Sequence, residues 1–373
     1  VRVALLTYSS KPRGGVVHTL ALAEALALAG ADVTVWTLGR GGDTGFFRPV
    51  DRRVALRVVP FPEVDGEEVG ARILRSIAVL REAFDPSGFD VVHAQDCISA
   101  NAVDVCVRTV HHIDHFTTPE LAACHERALT SPVAHVCVST AVAGELRDGW
   151  GISAEVIPNG VDAARFARAE RRGWEHLGRY VLAVGGIEPR KGSLDLLDAY
   201  ALLRARHPDV RLVIAGGETL FDYRDYRARW EERARESGVE PVVLGPVDHD
   251  ALPSLVASAA VFAFPSTKEG FGLAAMEALA AGVPLVARDL PVLREVFDGA
   301  ARFAVTPSGF AEALADALAD GGAFTEAGRA LADRHTWAEA ARHHLTFYRS
   351  LLDQGVLSVE PGEPERRTHP FRV

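Results

Sequence analysis

The chain has 373 residues, 48% of them hydrophobic and 24% charged, with a formal net charge of −10. That length exceeds the ~250 to 300 residues at which one hydrophobic core usually stops growing, so two domains are expected. No apolar run reaches the roughly 18 residues of a membrane span, and the acidic balance argues against general binding to nucleic acid or anionic membranes, both of which rest on broad basic surfaces.

Residues 1–8, "VRVALLTY", have the length and alternation of a buried strand and carry no basic leader or cleavage site, so no export signal is read there. The cysteines Cys97, Cys106, Cys124 and Cys137 show no metal-ligand spacing, which suits reduced thiols and a cytoplasmic enzyme. Short β-branched runs alternate with alanine- and leucine-rich stretches, the pattern of parallel α/β sheets. Strands are predicted at 2–7, 32–38, 54–59, 89–94, 104–110, 134–138 and 154–158, then at 180–185, 210–215, 241–244, 260–264, 283–287 and 301–304. The fold class expected is α/β, with two doubly wound Rossmann-like domains facing a cleft. They would span residues 1–165 and 166–335, joined by the arginine-rich, strand-poor segment 162–178. A helix over 336–353 is expected to pack back on the first domain, and the proline- and charge-rich tail 354–373 to be disordered.

Three loops follow predicted strands, where open α/β sheets place their ligands. In "SSKPRGGVVH", 9–18, Gly14 and Gly15 allow close backbone approach, and the next helix offers free N–H groups to an anion; a plain βα turn is the bland alternative. No G-x-G-x-x-G is present, and strand two ends without an acid for a ribose, which weakens a dehydrogenase reading. In "GGIEPRKGSLDLL", 185–197, Arg190 and Lys191 precede a helix that Ser193 could cap, a suitable place for a pyrophosphate, although a lone Arg-Lys pair is as often a solvated turn. In "PSTKEGFGLAAMEALAAGVPLVA", Glu269 precedes a helix and Glu277 lies two turns inside it among almost wholly apolar neighbours. An acid in such a helix should face a cavity or a polar ligand. Asp248 and Asp250 spell a D-x-D, for which helix capping is the favoured role, and no metal-ligand cluster is read. Only three of the 40 basic residues are lysines, Lys11, Lys191 and Lys268, and each falls in one of these loops. That distribution suggests sites where a compact ammonium is needed.

These segments, with "VRTVHH" and "VIPNGVDAARF" in order along nearly the whole chain, resemble the retaining, nucleotide-sugar-dependent glycosyltransferases of family 4, which have the GT-B fold. The resemblance implies that Glu277 binds the donor's ribose hydroxyls and Glu269 its sugar hydroxyls. Backbone N–H groups around Gly270, Phe271, Gly272 and Leu273 would approach sugar and phosphate, Lys191 would meet the diphosphate and His111 the sugar's C6 hydroxyl; a packed structural histidine is the alternative for His111. Gly14 and Gly15 would approach the diphosphate from the other domain, and Lys11, Arg13, His18 and His112 are carried as acceptor-side residues. The family often has an arginine where Gly186 stands here, with Arg190 as a possible replacement, and the first glycine pair sits one residue nearer its helix than the family pattern. The implied reaction transfers a hexose-type sugar to a hydroxyl acceptor (small molecule, glycan or lipid-linked), with the nucleotide diphosphate sugar as co-substrate and no other cofactor. A nucleotide-sugar epimerase, a sugar phosphorylase and a non-catalytic nucleotide-sugar-binding protein share the two-domain cleft and stay open.

Overall fold

The computed structural model describes residues 1–116, 119–217, 223–320 and 322–357. All thirteen predicted strands form. The first seven are β1 (Arg2–Leu6), β2 (Asp32–Arg40), β3 (Val54–Phe61), β4 (Val91–Ala94), β5 (Val107–Val110), β6 (Ala134–Cys137) and β7 (Glu155–Val156). They make a parallel sheet in the order β3-β2-β1-β4-β5-β6-β7. The other six are β8 (Arg179–Val184), β9 (Val210–Ala215), β10 (Val242–Gly245), β11 (Val261–Phe264), β12 (Leu285–Arg288) and β13 (Arg302–Ala304). They make a second parallel sheet, β10-β9-β8-β11-β12-β13. Val3 to Leu6 of β1 and all four residues of β11 are buried, as expected of central strands covered by helices on both faces. In each sheet the strand order reverses beside the first strand, between β1 and β4 and between β8 and β11, opening a crevice at the carboxyl ends of those strands.

The helix Trp337–Asp353, capped by Thr336, lays Ala340, Ala341, Leu345, Tyr348 and Leu351 into the core of the first sheet. The Tyr348 hydroxyl also bonds His93 Nδ1 of β4 at 2.6 Å. Within the 162–178 segment a short helix, Ala163–Ala167, sinks Phe166 into the core of the second sheet. The two halves also meet directly. Glu295, on the helix Pro291–Phe297 of the second half, accepts from the backbone N–H groups of Thr140 and Ala141 at 2.7 and 2.9 Å. Those N–H groups open the helix Thr140–Trp150 of the first half, so a carboxylate of one half sits on a helix dipole of the other.

Two expected caps are not made. Ser193 is the first residue of its helix; Gly192, in the left-handed region, is the cap, and Ser193 Oγ instead closes the preceding turn on Glu188. Before the helix Leu252–Ser258 no side chain caps, and Asp248 receives the Ala251 and Leu252 N–H groups with its main-chain carbonyl. In both places a tight turn uses backbone groups where the sequence offered a side chain. Among the described residues no helix is long and apolar enough to cross a membrane, and the four cysteines are free thiols. The tail from residue 358 onward lies outside the described residues.

Candidate active site

Glu269 is the hub of the cleft. It stands between β11 and the helix Leu273–Ala280, and its Oε1 lies 2.6 Å from Lys191 Nζ and 3.3 Å from Arg190 Nη1. Burial alone would raise its pKa, but the Lys191 ammonium and the Arg190 guanidinium hold it down at about 2. Glu269 is therefore an acceptor of hydrogen bonds and not a proton donor at neutral pH. Arg190 also reaches the Lys268 carbonyl at 3.3 Å and Glu188, a buried acid, at 3.5 Å. The Lys191 stem passes over Gly185, whose φ of +144° and missing Cβ leave that groove open, and its Nζ lies 5.4 Å from the centre of the Phe264 ring.

Three helix N-termini near this cluster receive no cap from the residue before them: Gly14–Leu28, Ser193–Arg206, where the Tyr226 hydroxyl accepts from the Leu194 N–H at 3.1 Å, and Leu273–Ala280. The first and last have no acid in their first turn. The only first-turn acid of the middle one, Asp195, is paired with Arg288 at 2.6 Å. Uncapped N–H groups and three positive dipole ends suit an anion with several oxygens. Gly272 makes the last of these termini possible: its φ is +100°, and a Cβ there would press on the rings of Phe297 and Phe264. Phe271 turns its side chain into the core, against His335, and contributes only backbone to the cleft.

The first half joins the cluster through His111. Its ring atoms lie 3.8 Å from where a Cβ on Gly15 would be, and its carbonyl oxygen occupies the space a Cβ on Gly270 would need. Gly15, His111, Gly270, Glu269 and Lys191 thus form one continuous line across the two halves. Among the described residues the buried His111 Nε2 has no hydrogen-bond partner, and burial followed by the nearby His112 and Arg108 lowers the ring's pKa to about 3, so it is neutral and able to bond a hydroxyl.

The other sequence-chosen residues spread out. His18, read from the sequence as an acceptor-side residue, is 1% exposed, bonded to Asn159 at 2.8 Å and edge-on to His111 at 4.7 Å, so it packs against that ring in the interior. Lys11 pairs with Asp43 at the rim, and Gly186 lies in the turn after β8, next to Gly185. His112 pairs with Asp114 at 3.2 Å. Asp114 is held at about 2 against its burial by His112, Lys268 and Arg190, which places a first-half carboxylate opposite the second-half cations. Sequence reasoning missed Asp114 and Glu188. Each stood inside a quoted or adjacent segment, but their partners are 60 residues or more away in sequence or depend on a turn; the only available signal was an acid next to the selected cations.

Glu277 is half-buried and apart from the cluster, facing Arg165. Burial raises its pKa to about 7 from 4.5, with Arg165 opposing and Asp162 assisting. The folded chain then holds a proton there that the unfolded chain has lost, so stability falls as pH rises from about 4.5 to about 7. Glu277→Gln should flatten that slope, leaving the urea midpoint unchanged at the acid end and raising stability at the neutral end by on the order of 1 kcal/mol. Parallel urea melts at the two pH values check this, and an unaltered slope would contradict the burial account.

The family described as "Glycosyl transferases group 1" matches residues 167–344, and "Glycosyltransferase Family 4" matches residues 12–165. The phosphatidyl-myo-inositol mannosyltransferase of Mycobacterium tuberculosis is 29% identical over 94% of this chain and 96% of its own. That of Propionibacterium freudenreichii is 31% identical over 79% of each chain. In fold the chain is similar to the sucrose-phosphate synthase of Thermosynechococcus elongatus, with a TM-score of 0.78 at 19% identity over 95% of this chain and 99% of that one. It is also similar to Anabaena HepE solved with UDP-glucose, with a TM-score of 0.75 at 20% identity over 94% and 100%. With two parallel sheets of the Rossmann order, an acid held between two cations at their junction and these matches over both halves, the chain belongs to the family 4 glycosyltransferases of GT-B fold.

Proposed function

We propose that this glycosyltransferase moves a hexose-type sugar from a nucleoside diphosphate sugar to a hydroxyl acceptor with retention of anomeric configuration, in the cytoplasm and without a metal or other cofactor. The observation that carries the reading is the Glu269–Lys191–Arg190 cluster beside three helix N-termini. Loss of the nucleoside diphosphate puts negative charge on phosphate oxygens, and fixed cations and N–H dipoles in a closed cleft stabilise that charge without reorganising. Glu269, ionised and hydrogen-bonded, is suited to hold sugar hydroxyls and orient the ring; Glu277 is left to the nucleoside end. His111, neutral with a free Nε2, is placed for a donor hydroxyl. A phosphate oxygen of the leaving group would take the acceptor's proton as the new bond forms on the face the diphosphate leaves. The UDP-glucose bound to the Anabaena structure and the GDP-mannose in the name of a Komagataeibacter xylinus relative support a nucleotide sugar here. The inositol phospholipid in the names of the mannosyltransferase relatives makes a lipid-linked acceptor one candidate.

A thermal-shift screen of nucleotide sugars should give one base and sugar that raise the melting temperature, followed by release of that nucleoside diphosphate as slow hydrolysis and faster with an acceptor. Excess chelator should leave that release unchanged, because Arg190, Lys191 and the helix dipoles supply the positive charge. Release that stops with chelator and returns with magnesium or manganese would overturn the metal-free part; binding without any release would favour a sensor.

A further inference from the structure

A second basic cluster lies in the first half, at the carboxyl ends of β1 and β2. Arg40, the last residue of β2, turns inward: Nε donates to the Tyr8 carbonyl at 2.9 Å and Nη2 to Ser76 Oγ at 2.8 Å. Its guanidinium lies 5.2 Å from the Tyr8 ring centre and 4.8 Å from that of Phe61. None of these partners is a carboxylate. The contrast is Arg75 on the other side of Phe61, which is matched by both oxygens of Glu67 at 2.6 and 2.7 Å. Two more arginines add charge beside Arg40: Arg13, which precedes the uncapped helix Gly14–Leu28, and Arg72 of the helix Val69–Ala83. Burial first, then these two cations, lower the pKa of Arg40 to about 10 although Tyr8 and Asp96 oppose them. Asp96, the acid in range, has its oxygens taken by the N–H groups of Tyr8 at 2.9 Å and Ser99 at 2.8 Å.

A half-buried guanidinium with two like charges nearby and, among the described residues, no paired carboxylate is costly unless an anion joins it. Tyr8, whose carbonyl accepts from Arg40, is within electrostatic range of Arg13 and of Glu188 in the donor loop. We propose that Arg40, Arg13 and Arg72 bind a phosphate ester carried by the acceptor, so that the enzyme glycosylates a phosphorylated polyol or sugar with its free hydroxyl turned toward Lys191 and Glu269. Phosphate suits guanidinium forks arriving from several directions better than a carboxylate does, because it offers more oxygens. The inference rests on the proposed function, in that the cleft between the clusters is taken as the transfer site.

Calorimetry and thermal shift with inorganic phosphate and glycerol 3-phosphate, against chloride and glycerol at equal ionic strength, test the site. Flotation with phosphatidylinositol vesicles, against phosphatidylcholine, tests a lipid source. The parent should bind a phosphate probe and neither control. Arg40→Gln and Arg13→Gln should each weaken that binding about 10- to 100-fold, the loss of charged hydrogen bonds. Arg204→Gln, outside both basic clusters, should leave it intact. Arg13→Gln removes no side-chain hydrogen bond among the described residues, so it serves if Arg40→Gln does not fold. Binding to phosphatidylinositol vesicles alone, lost in Arg40→Gln and Arg13→Gln, supports the site with a lipid headgroup as its source. No binding of any phosphate probe, equal binding in the parent and in those two variants, or an equal loss in Arg204→Gln overturns it. Nucleotide-sugar binding, measured separately on the same proteins, fails only if the donor-side reading fails.

Discussion

Gly270→Ala should lower turnover about 100-fold while leaving the affinity for the nucleoside diphosphate little changed. The added Cβ would fall on the His111 carbonyl oxygen and lie 3.1 Å from Val138 Cγ2. Main chain cannot step aside by changing rotamer, so either the Glu269 loop shifts or the two halves part locally. Folding of each sheet does not depend on this contact, because Gly270 joins the halves and belongs to neither sheet. The displacement, on the order of 1 Å, would separate His111 from Glu269, two groups proposed to grip the same sugar. The nucleoside end of the donor, proposed to lie at Glu277 on the helix beyond Gly272, would be spared. Nucleoside diphosphate release and calorimetry on the same variant check the split; parental turnover would show that the two loops act independently.

Much of this architecture is legible in the sequence because parallel strands covered on both faces are written as short apolar runs, and their shortness and β-branched residues set them apart from the longer alanine- and leucine-rich helices. The thirteen strands followed from it, and their sequence order placed the three loops at carboxyl ends of strands. Glu277 was legible for a different reason: an acid among seven apolar neighbours contradicts its surroundings. The failures share a cause. Ser193 and Asp248 lost their expected caps because a glycine in the left-handed region and a main-chain carbonyl closed those turns first. His18 stands one helical turn from Gly14 and reads as a loop neighbour, yet helix phase turns it into the core. Arg40 reads as the last residue of a strand before a glycine pair; only the packing of the helix Val69–Ala83 beside β2 and β3 shows it facing other arginines.

Charge placement also separates this site from a pair of acids that cleave by themselves. Two catalytic carboxyls of a glycosidase need different proton affinities and a separation of ~5 to 9.5 Å around one bond. Here the acid with the raised pKa, Glu277, faces Arg165 rather than the cation cluster, and the acid at the cluster is held at about 2. Neither arrangement protonates a leaving oxygen at Glu269. On the proposed reading the fixed cations stabilise departure, and their shape then matters as much as their charge.

Lys191→Arg keeps the charge and should nevertheless cost on the order of 100-fold in turnover, with a smaller change in donor affinity. The Lys191 stem runs in a groove 3.3 to 3.4 Å from the position of a Cβ on Gly185, and its ammonium meets Glu269 Oε1 at 2.6 Å. Arg190 Nη1 already approaches that same oxygen at 3.3 Å. A guanidinium is planar and wider than an ammonium, and it prefers to engage two oxygens of one carboxylate. Placed here it would push Arg190 from Glu269 or hold the carboxylate in a fork, and either change rotates the group proposed to accept from the sugar's hydroxyls. On the proposed reading donor affinity is spread over the helix N-termini and Glu277, so it should fall less. Arg204→Lys is the control: Arg204 is exposed on the helix Ser193–Arg206 and makes one 3.3 Å bond, to the Gly238 carbonyl, which an ammonium can replace. Turnover of Lys191→Arg indistinguishable from the parent and from that control would show that any cation serves at this position, and would leave the confinement of the lysines to three loops without a functional reason.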